Sequence, residues 1–297
     1  KHDFPLMKVD NVFHRKGAIW PFTVVGRPPQ EDTSFGKLIH EITGSIIPKE
    51  IPGLHEVNAV DEAGVHPLLF ALGSERYTPY LDTKQPAELL TIANHILGFG
   101  QMSLAKYLII GAKEDNPNIS VNNTHDFFNH IIERVDWTRD LHFQTKTTID
   151  TLDYSSSELN AGSKLVIAAV GKPKRKLAKE LPSIDDWPSE IKNLSLASEG
   201  VISIELGEFT NYKEEREKIE SVCRQLEHRI DQLKEIPLIL ISDDCKFTAQ
   251  HFNNLIWTCF TRSNPSHDIY GVRSSIDYKH WGCKGPLIID CRMKPHS

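Results

Sequence analysis

"YLIIGAKED" (residues 107–115) and "PLILISDDC" (residues 237–245) decide how this chain is built. Each is a short aliphatic run that stops at acidic groups, as a strand buried on both faces does. Each leads into a stretch that suits a helix with an arginine at its exit. These are "FFNHIIERVDWTRD" (127–140) and "NNLIWTCFTRSNPSHD" (253–268), and they match without a gap from Arg134 to Asp140 against Arg262 to Asp268. Each then passes through an extended tract to a Gly-x-Lys and a last apolar strand, "GSKLVIAAV" (162–170) and "GCKGPLIIDC" (282–291). Strands alternating with helices, repeated once, predict a layered α/β domain with internally duplicated strand–helix–strand units, residues 104–170 and 236–291.

Working outward, "LHEVNAVD" and "HPLLFALGS" predict two more strands, and Pro86 to Gly98 a helix carrying Leu89, Leu90, Ile92, Ala93, Ile96 and Leu97. "DTSFGKLIHEIT" predicts a helix capped at Asp32 or Thr33, with Leu38, Ile39 and Ile42 on one face. Ahead of it, "FPLMKVDNVFHRKGAIWPFTVV" predicts two extended arms around a turn at Gly17. That hairpin is apolar enough to need a partner sheet. Between the two halves, "GKPKRKLAKELPSIDDWPSE" is a polar connector. In "NYKEEREKIESVCRQLEHRIDQLKE", Ile219, Val222, Leu226, Ile230 and Leu233 suit a helix that packs one stripe on a sheet, or a short coiled-coil seam. The expected divisions are residues 1–26 (hairpin), 27–175 (first α/β half) and 176–297 (connector, inserted helix and second half).

Composition narrows the function classes. With 34 basic and 40 acidic residues the net charge is −6, which argues against general nucleic-acid binding. No apolar run reaches the ~18 residues of a membrane span, and no secretory signal opens the chain. Five cysteines without a C-x-x-C pair suit reduced packing residues of a cytoplasmic protein. The 14 histidines contain no H-E-x-x-H, so no metal site is expected from this chain alone. "GFGQMS" (98–103) leaves a helix for a strand, the reverse of a dinucleotide loop, and fits a helix end. The basic run Lys172, Lys174, Arg175 and Lys176 reads as a solvated face. No nucleophile elbow is present. The chain begins at Lys1 rather than methionine, and it reads as a piece of a longer polypeptide.

Four stretches carry a resemblance: "FTVVGRPPQEDT" (22–33), "GVHPLLFALGSERYTPY" (64–80), "VDWTRDLHFQTKTTIDTLDYS" (135–155) and "GSKLVIAA" (162–169). In order and spacing they resemble the carboxy-terminal part of the UbiD-type decarboxylases, the 3-octaprenyl-4-hydroxybenzoate carboxy-lyase family. The resemblance resumes at "IWTCFTRSNPSHDIYG" (256–271) and "KGPLIIDCRMKP" (284–295), and leaves residues 175–235 looking like an insertion.

That resemblance implies non-oxidative decarboxylation of an aromatic or α,β-unsaturated acid, using prenylated FMN and a divalent metal such as manganese. In the family, the acid-base carboxylates and metal ligands lie in an upstream split barrel. The opening hairpin would then be the barrel's last two strands. No catalytic residue is therefore expected among these 297 residues, and this piece alone is expected to be inactive and to hold no cofactor. Lys164 matches the family's flavin-phosphate lysine best, and Lys284 is its duplicate. The loop with Arg27, Glu31 and Asp32 is expected to be an anchored corner facing the flavin domain, with a substrate-pocket role through Phe35 as the alternative. Expected partners are a small carboxylic acid, the upstream domains of the same chain and further copies in a homo-oligomer. The rival reading is a non-catalytic assembly module.

Overall fold

The structure, a computed structural model, describes residues 6–22, 26–44, 46–81, 84–156 and 158–295, apart from the side chains of residues 31 and 32. In chain order, α1 (Glu31–Thr43) and α2 (Ile47–Glu50) precede the hairpin β1 (Leu54–Ala59) and β2 (Leu68–Gly73). Then come α3 (Glu88–Leu97), β3 (Tyr107–Ala112), α4 (Thr124–Arg134), β4 (Leu141–Thr148) and β5 (Ala161–Ala169). The second half runs β6 (Asn193–Ser198), β7 (Val201–Glu205), α5 (Tyr212–Leu226), β8 (Leu238–Ile241), α6 (Cys245–Gln250) and α7 (Phe252–Arg262). It closes with α8 (Pro265–Asp268), β9 (Ile269–Gly271), the small hairpin β10 (Ser274–Asp277) and β11 (His280–Cys283), and β12 (Leu287–Asp290).

Two five-stranded sheets result, ordered β1-β2-β3-β5-β4 and β6-β7-β8-β12-β9. Their directions agree position by position. The outer strands β1 and β6 run antiparallel to β2 and β7, the three middle strands of each sheet are parallel, and β4 and β9 are antiparallel edges. Register agrees too, with Tyr107 opposite Leu165 in one sheet and Leu238 opposite Leu287 in the other.

Side-chain alternation along these strands builds three core layers. Leu68, Phe70, Tyr107, Ile109, Leu165 and Ile167 point inward onto α4, and Leu238, Leu240, Leu287 and Ile289 point inward onto α7. These residues form one continuous cluster, so α4 and α7 make a shared central layer between the sheets. The outer face of sheet one packs on α3 through Leu69, Ala71, Leu108 and Ile110 against Leu89, Ile92 and Ile96. The outer face of sheet two packs on α5 through Ile202, Ile239 and Ile288 against Ile219, Val222 and Leu226. The layering is α/β/αα/β/α.

Two expectations change. The stretch expected as an insertion supplies β6, β7 and α5, which stand in sheet two where β1, β2 and α3 stand in sheet one. The stripe of α5 is buried against the sheet and forms no coiled-coil seam. The opening hairpin is also different. A turn stands at Lys16–Gly17, where Gly17 has φ +71°, but residues 6–22 carry no strand. Two arms with no third strand or helix to pack on do not hold a ladder. Phe4, Pro5 and residues 23–25 of that stretch lie outside the described residues.

Candidate functional site

Lys164 lies in β5, four positions into the strand, and it is buried. Its Nζ donates to the main-chain oxygens of Ser103 (2.7 Å) and Ala105 (3.0 Å). An ammonium has three hydrogens, so one remains for another acceptor. Burial pulls its pKa down to about 8, with the nearby Asp153 carboxylate working the other way. An exposed lysine at a strand start is therefore not what the fold makes of this residue.

A second buried lysine stands beside it. Lys106, just ahead of β3, pairs with Asp153 at 2.7 Å and donates to Ser155 Oγ at 2.9 Å. Asp153 and Ser155 come from "IDTLDYS", the tract between β4 and β5, which folds back over the starting edge of sheet one. Asp150 of the same tract meets His66, and that contact holds the Asp150 carboxyl below its ordinary range. Residue chemistry alone did not single out Lys106, Asp153 or Asp150, although the family-like motif contained two of them. The missed signal was the Asp-x-x-Asp spacing ahead of Gly-Ser-Lys.

The loop at Arg27 reaches the same starting edge. Thr33, in the first turn of α1, donates to Asp61 Oδ2 at 2.9 Å, in the β1–β2 connection. Arg27 donates to Asn254 Oδ1 at 3.0 Å and lays its guanidinium 5.1 Å from the Phe247 ring centroid. It is anchored to α6 and α7 of the second half while staying exposed. Phe35 is 57% exposed and shares an open face of α1 with Leu38, Ile39 and Ile42. Lys284 lies outside any strand, exposed, in the link between β11 and β12. Sheet two thus does not reproduce the burial of Lys164, because Gly285 and Pro286 intervene before the strand.

Several groups that could bind an anion are already partnered. Glu75 accepts from the backbone N–H groups of Ala87 (2.7 Å), Glu88 (3.1 Å) and Leu89 (3.2 Å), filling the α3 N-terminus with the protein's own carboxylate. At the far edge of sheet two, Arg292 is sandwiched between Asp290 (2.6 Å) and Glu215 (2.7 Å). Lys294 approaches Asp268 at 3.3 Å, and burial pushes Asp268 up to about 7 against that lysine's pull. Among the described residues there is no group of three or more His, Cys, Asp or Glu placed to hold a metal. One spare ammonium hydrogen is not a phosphate cradle, so these residues do not by themselves fit a flavin.

Comparison with known proteins bears on the same region. Residues 33–169 match the model of the 3-octaprenyl-4-hydroxybenzoate carboxy-lyase C-terminal domain. One of the subunits of a 4-hydroxybenzoate decarboxylase from Chlamydia pneumoniae is 32% identical over 296 residues, covering 99% of this chain and 46% of that protein. The chain carries a C-terminal domain of the UbiD decarboxylase family. It spans about half the length of the curated relatives it matches. Vanillic acid decarboxylase of Sedimentibacter hydroxybenzoicus in its closed form is 14% identical, with 60% of this chain and 30% of that chain covered at a TM-score of 0.36. The UbiD-class enzyme HmfF of Pelotomaculum thermopropionicum, solved in complex with FMN, is also 14% identical, with 47% and 28% covered and a TM-score of 0.32. No helix of the described residues is long and apolar enough to cross a membrane.

Proposed function

We propose that this chain is the carboxy-terminal portion of a carboxy-lyase and closes over a flavin site built mainly by another part of the protein. The reaction is the non-oxidative loss of CO2 from an aromatic or α,β-unsaturated acid, with a proton replacing the carboxylate on the same carbon. Prenylated FMN would supply the electron sink for that step. This chain contributes closure, one buried ammonium and an anchored loop, and not the acid-base pair.

The observation that carries the reading is an apolar surface left open on α1 and on the arm that precedes it. On α1, Phe35, Leu38, Ile39 and Ile42 are each more than half exposed. In the preceding arm Leu6, Phe13, Ile19, Trp20 and Phe22 are each at least three-quarters exposed. Solitary soluble domains seldom expose so many large apolar groups in sequence. The same surface supports the rival reading, an assembly module without catalysis.

The longer protein separates the two. Produced beside a flavin prenyltransferase, it should retain flavin through gel filtration, lose most of it on Lys164→Ala and lose less on Lys284→Ala. One charge-assisted contact is worth on the order of 1.5–3 kcal/mol, enough to lower retention but not to hold a flavin alone. A longer protein that never carries flavin sinks the decarboxylase reading. Equal retention by wild type and Lys164→Ala removes the lysine from the site and leaves the rest standing.

A further inference from the structure

The two halves meet through contacts that come in matched pairs. After α4, the exit turn of the first half is closed by Asp136 N–H donating to Asp140 Oδ2 at 2.8 Å. After α7, Asn264 N–H donates to Asp268 Oδ2 at 2.6 Å, at the aligned positions. Each turn also docks on the opposite half. Trp137 Nε1 donates to Pro237 O at 2.8 Å, at the start of β8, and Trp137 O accepts from Cys283 N at 3.1 Å. In return, Ser266 N donates to Ser163 Oγ at 2.8 Å, Ser163 donates to Asn264, and Ser263 Oγ meets Tyr107 OH at 2.7 Å, at the start of β3.

Ser163 and Cys283 are the central residues of the two Gly-x-Lys motifs. Tyr107 and Leu238 hold the same register position in their sheets. The helices exchange in the same way. From α4, His125 reaches Ser198 at 3.4 Å, at the end of β6 in the β6–β7 hairpin. From α7, Trp257 covers the β1–β2 connection so closely that a Cβ on Gly64 would lie 3.8 Å from its ring. Between them, Phe252 of α7 packs on His125 and Phe128 of α4, at ring-centroid distances of 4.8 and 5.7 Å. Gly282 is a glycine for the same docking. A Cβ there would fall 2.5 Å from Trp137 O and 2.8 Å from Thr138 Cα, both main-chain atoms.

We infer that the surface joining the halves is an isologous, two-fold interface, and that the second unit fills within one chain the place a second copy of the first would take. In such an interface residue i of one unit meets j of the other while j meets i. Exit turn to strand start, and central helix to opposite hairpin, satisfy that exchange in both directions. The matched sheet order and directions supply the common framework. The face formed by α4, the turn at 136–140 and the start of β5 is therefore a self-pairing face, and its partner is a unit of the same architecture. The central residues of the two Gly-x-Lys motifs and the turns after the two arginines are the two sides of this contact. Association of this chain with further copies must then use other surfaces, since this one is consumed internally.

Two tandem chains test the inference. In one, residues 193–290 are replaced by a second copy of residues 54–169; in the other, residues 54–169 are replaced by a second copy of residues 193–290. Both keep the natural connector. Light scattering reads mass, and hydrogen exchange reads the turn amides at 136–140 or 264–268 in each copy. A monomeric tandem whose turns are protected in both copies to within about tenfold of the natural chain supports the inference. Using two tandems guards against one diverged unit failing to fold for reasons of its own. If in neither tandem both copies become protected, including by misfolding or by one copy staying open, the inference is overturned.

Discussion

Lys164 and Lys106 sit side by side under one carboxylate, and their burial makes each a sensitive residue. Asp153 is the only ion-pair partner found for Lys106 among the described residues. Asp153→Ala would leave that ammonium buried and uncompensated, and should cost about 3–5 kcal/mol in urea unfolding. Lys164 should instead show itself through pH. Its pKa falls from the ordinary 10.5 to about 8 in the fold, so between those values the unfolded chain holds the proton more tightly. Stability relative to a Lys164→Met variant should therefore rise from pH 8 to pH 10, by at most about 1.4 kcal/mol per pH unit. A flat difference would mean the ammonium is better solvated than its surroundings imply. His130 on α4 acts at the acid end. Burial, aided by the Arg134 charge, lowers it from 6.5 to about 4, so its contribution is complete above pH 6.5 and drains away as pH falls towards 4. Compared with His130→Gln, wild type should lose stability across that window and not above it, as read by urea midpoints at matched pH.

At the scale of elements, α1 carries an apolar face that folding of the described residues leaves open. Its apolar residues recur at helical spacing, which made the helix legible in the sequence, but nothing there indicated that the face stays open. Replacing Leu38 and Ile42 with Glu should leave the stability of this chain within about 0.5 kcal/mol, because no core contact is lost. The same pair should raise its solubility and impair assembly of the longer protein, checked by urea unfolding and light scattering side by side. The repeat was legible where burial is two-sided: β3, β8, β5 and β12 read as aliphatic runs, and the arginine exits aligned without a gap. It was illegible in α5 and the β6–β7 hairpin. There the topology persists while the exposed surfaces have drifted, α3 presenting a mainly apolar sequence and α5 a charged one with a single buried stripe. The ion pairs at Lys106 and Arg292 were invisible for a different reason. A charged residue next to a strand reads as solvated until the fold brings a distant carboxylate over it.

For the whole molecule, the decisive feature is that the inner faces of both sheets, α4 and α7 form one apolar cluster. Neither half can open without exposing the other's inner face, whereas the clusters under α3 and α5 are private to each half. The protein should therefore melt as one cooperative unit, although it contains two complete sheets and is long enough for two domains. The test is calorimetry of the natural chain and of two cavity variants. Leu255→Ala removes a fully buried side chain from the shared layer, and should cost about 2–5 kcal/mol and lower the single transition by several degrees. Ile219→Ala strips a fully buried side chain from the private layer under α5. If the halves are coupled, it too must shift the whole transition, without splitting off a separate peak. Two resolved transitions, with only one moved by Ile219→Ala, would mean that the central layer is too weak to bind the halves into one folding unit. The matched docking contacts would then join two domains that fold apart.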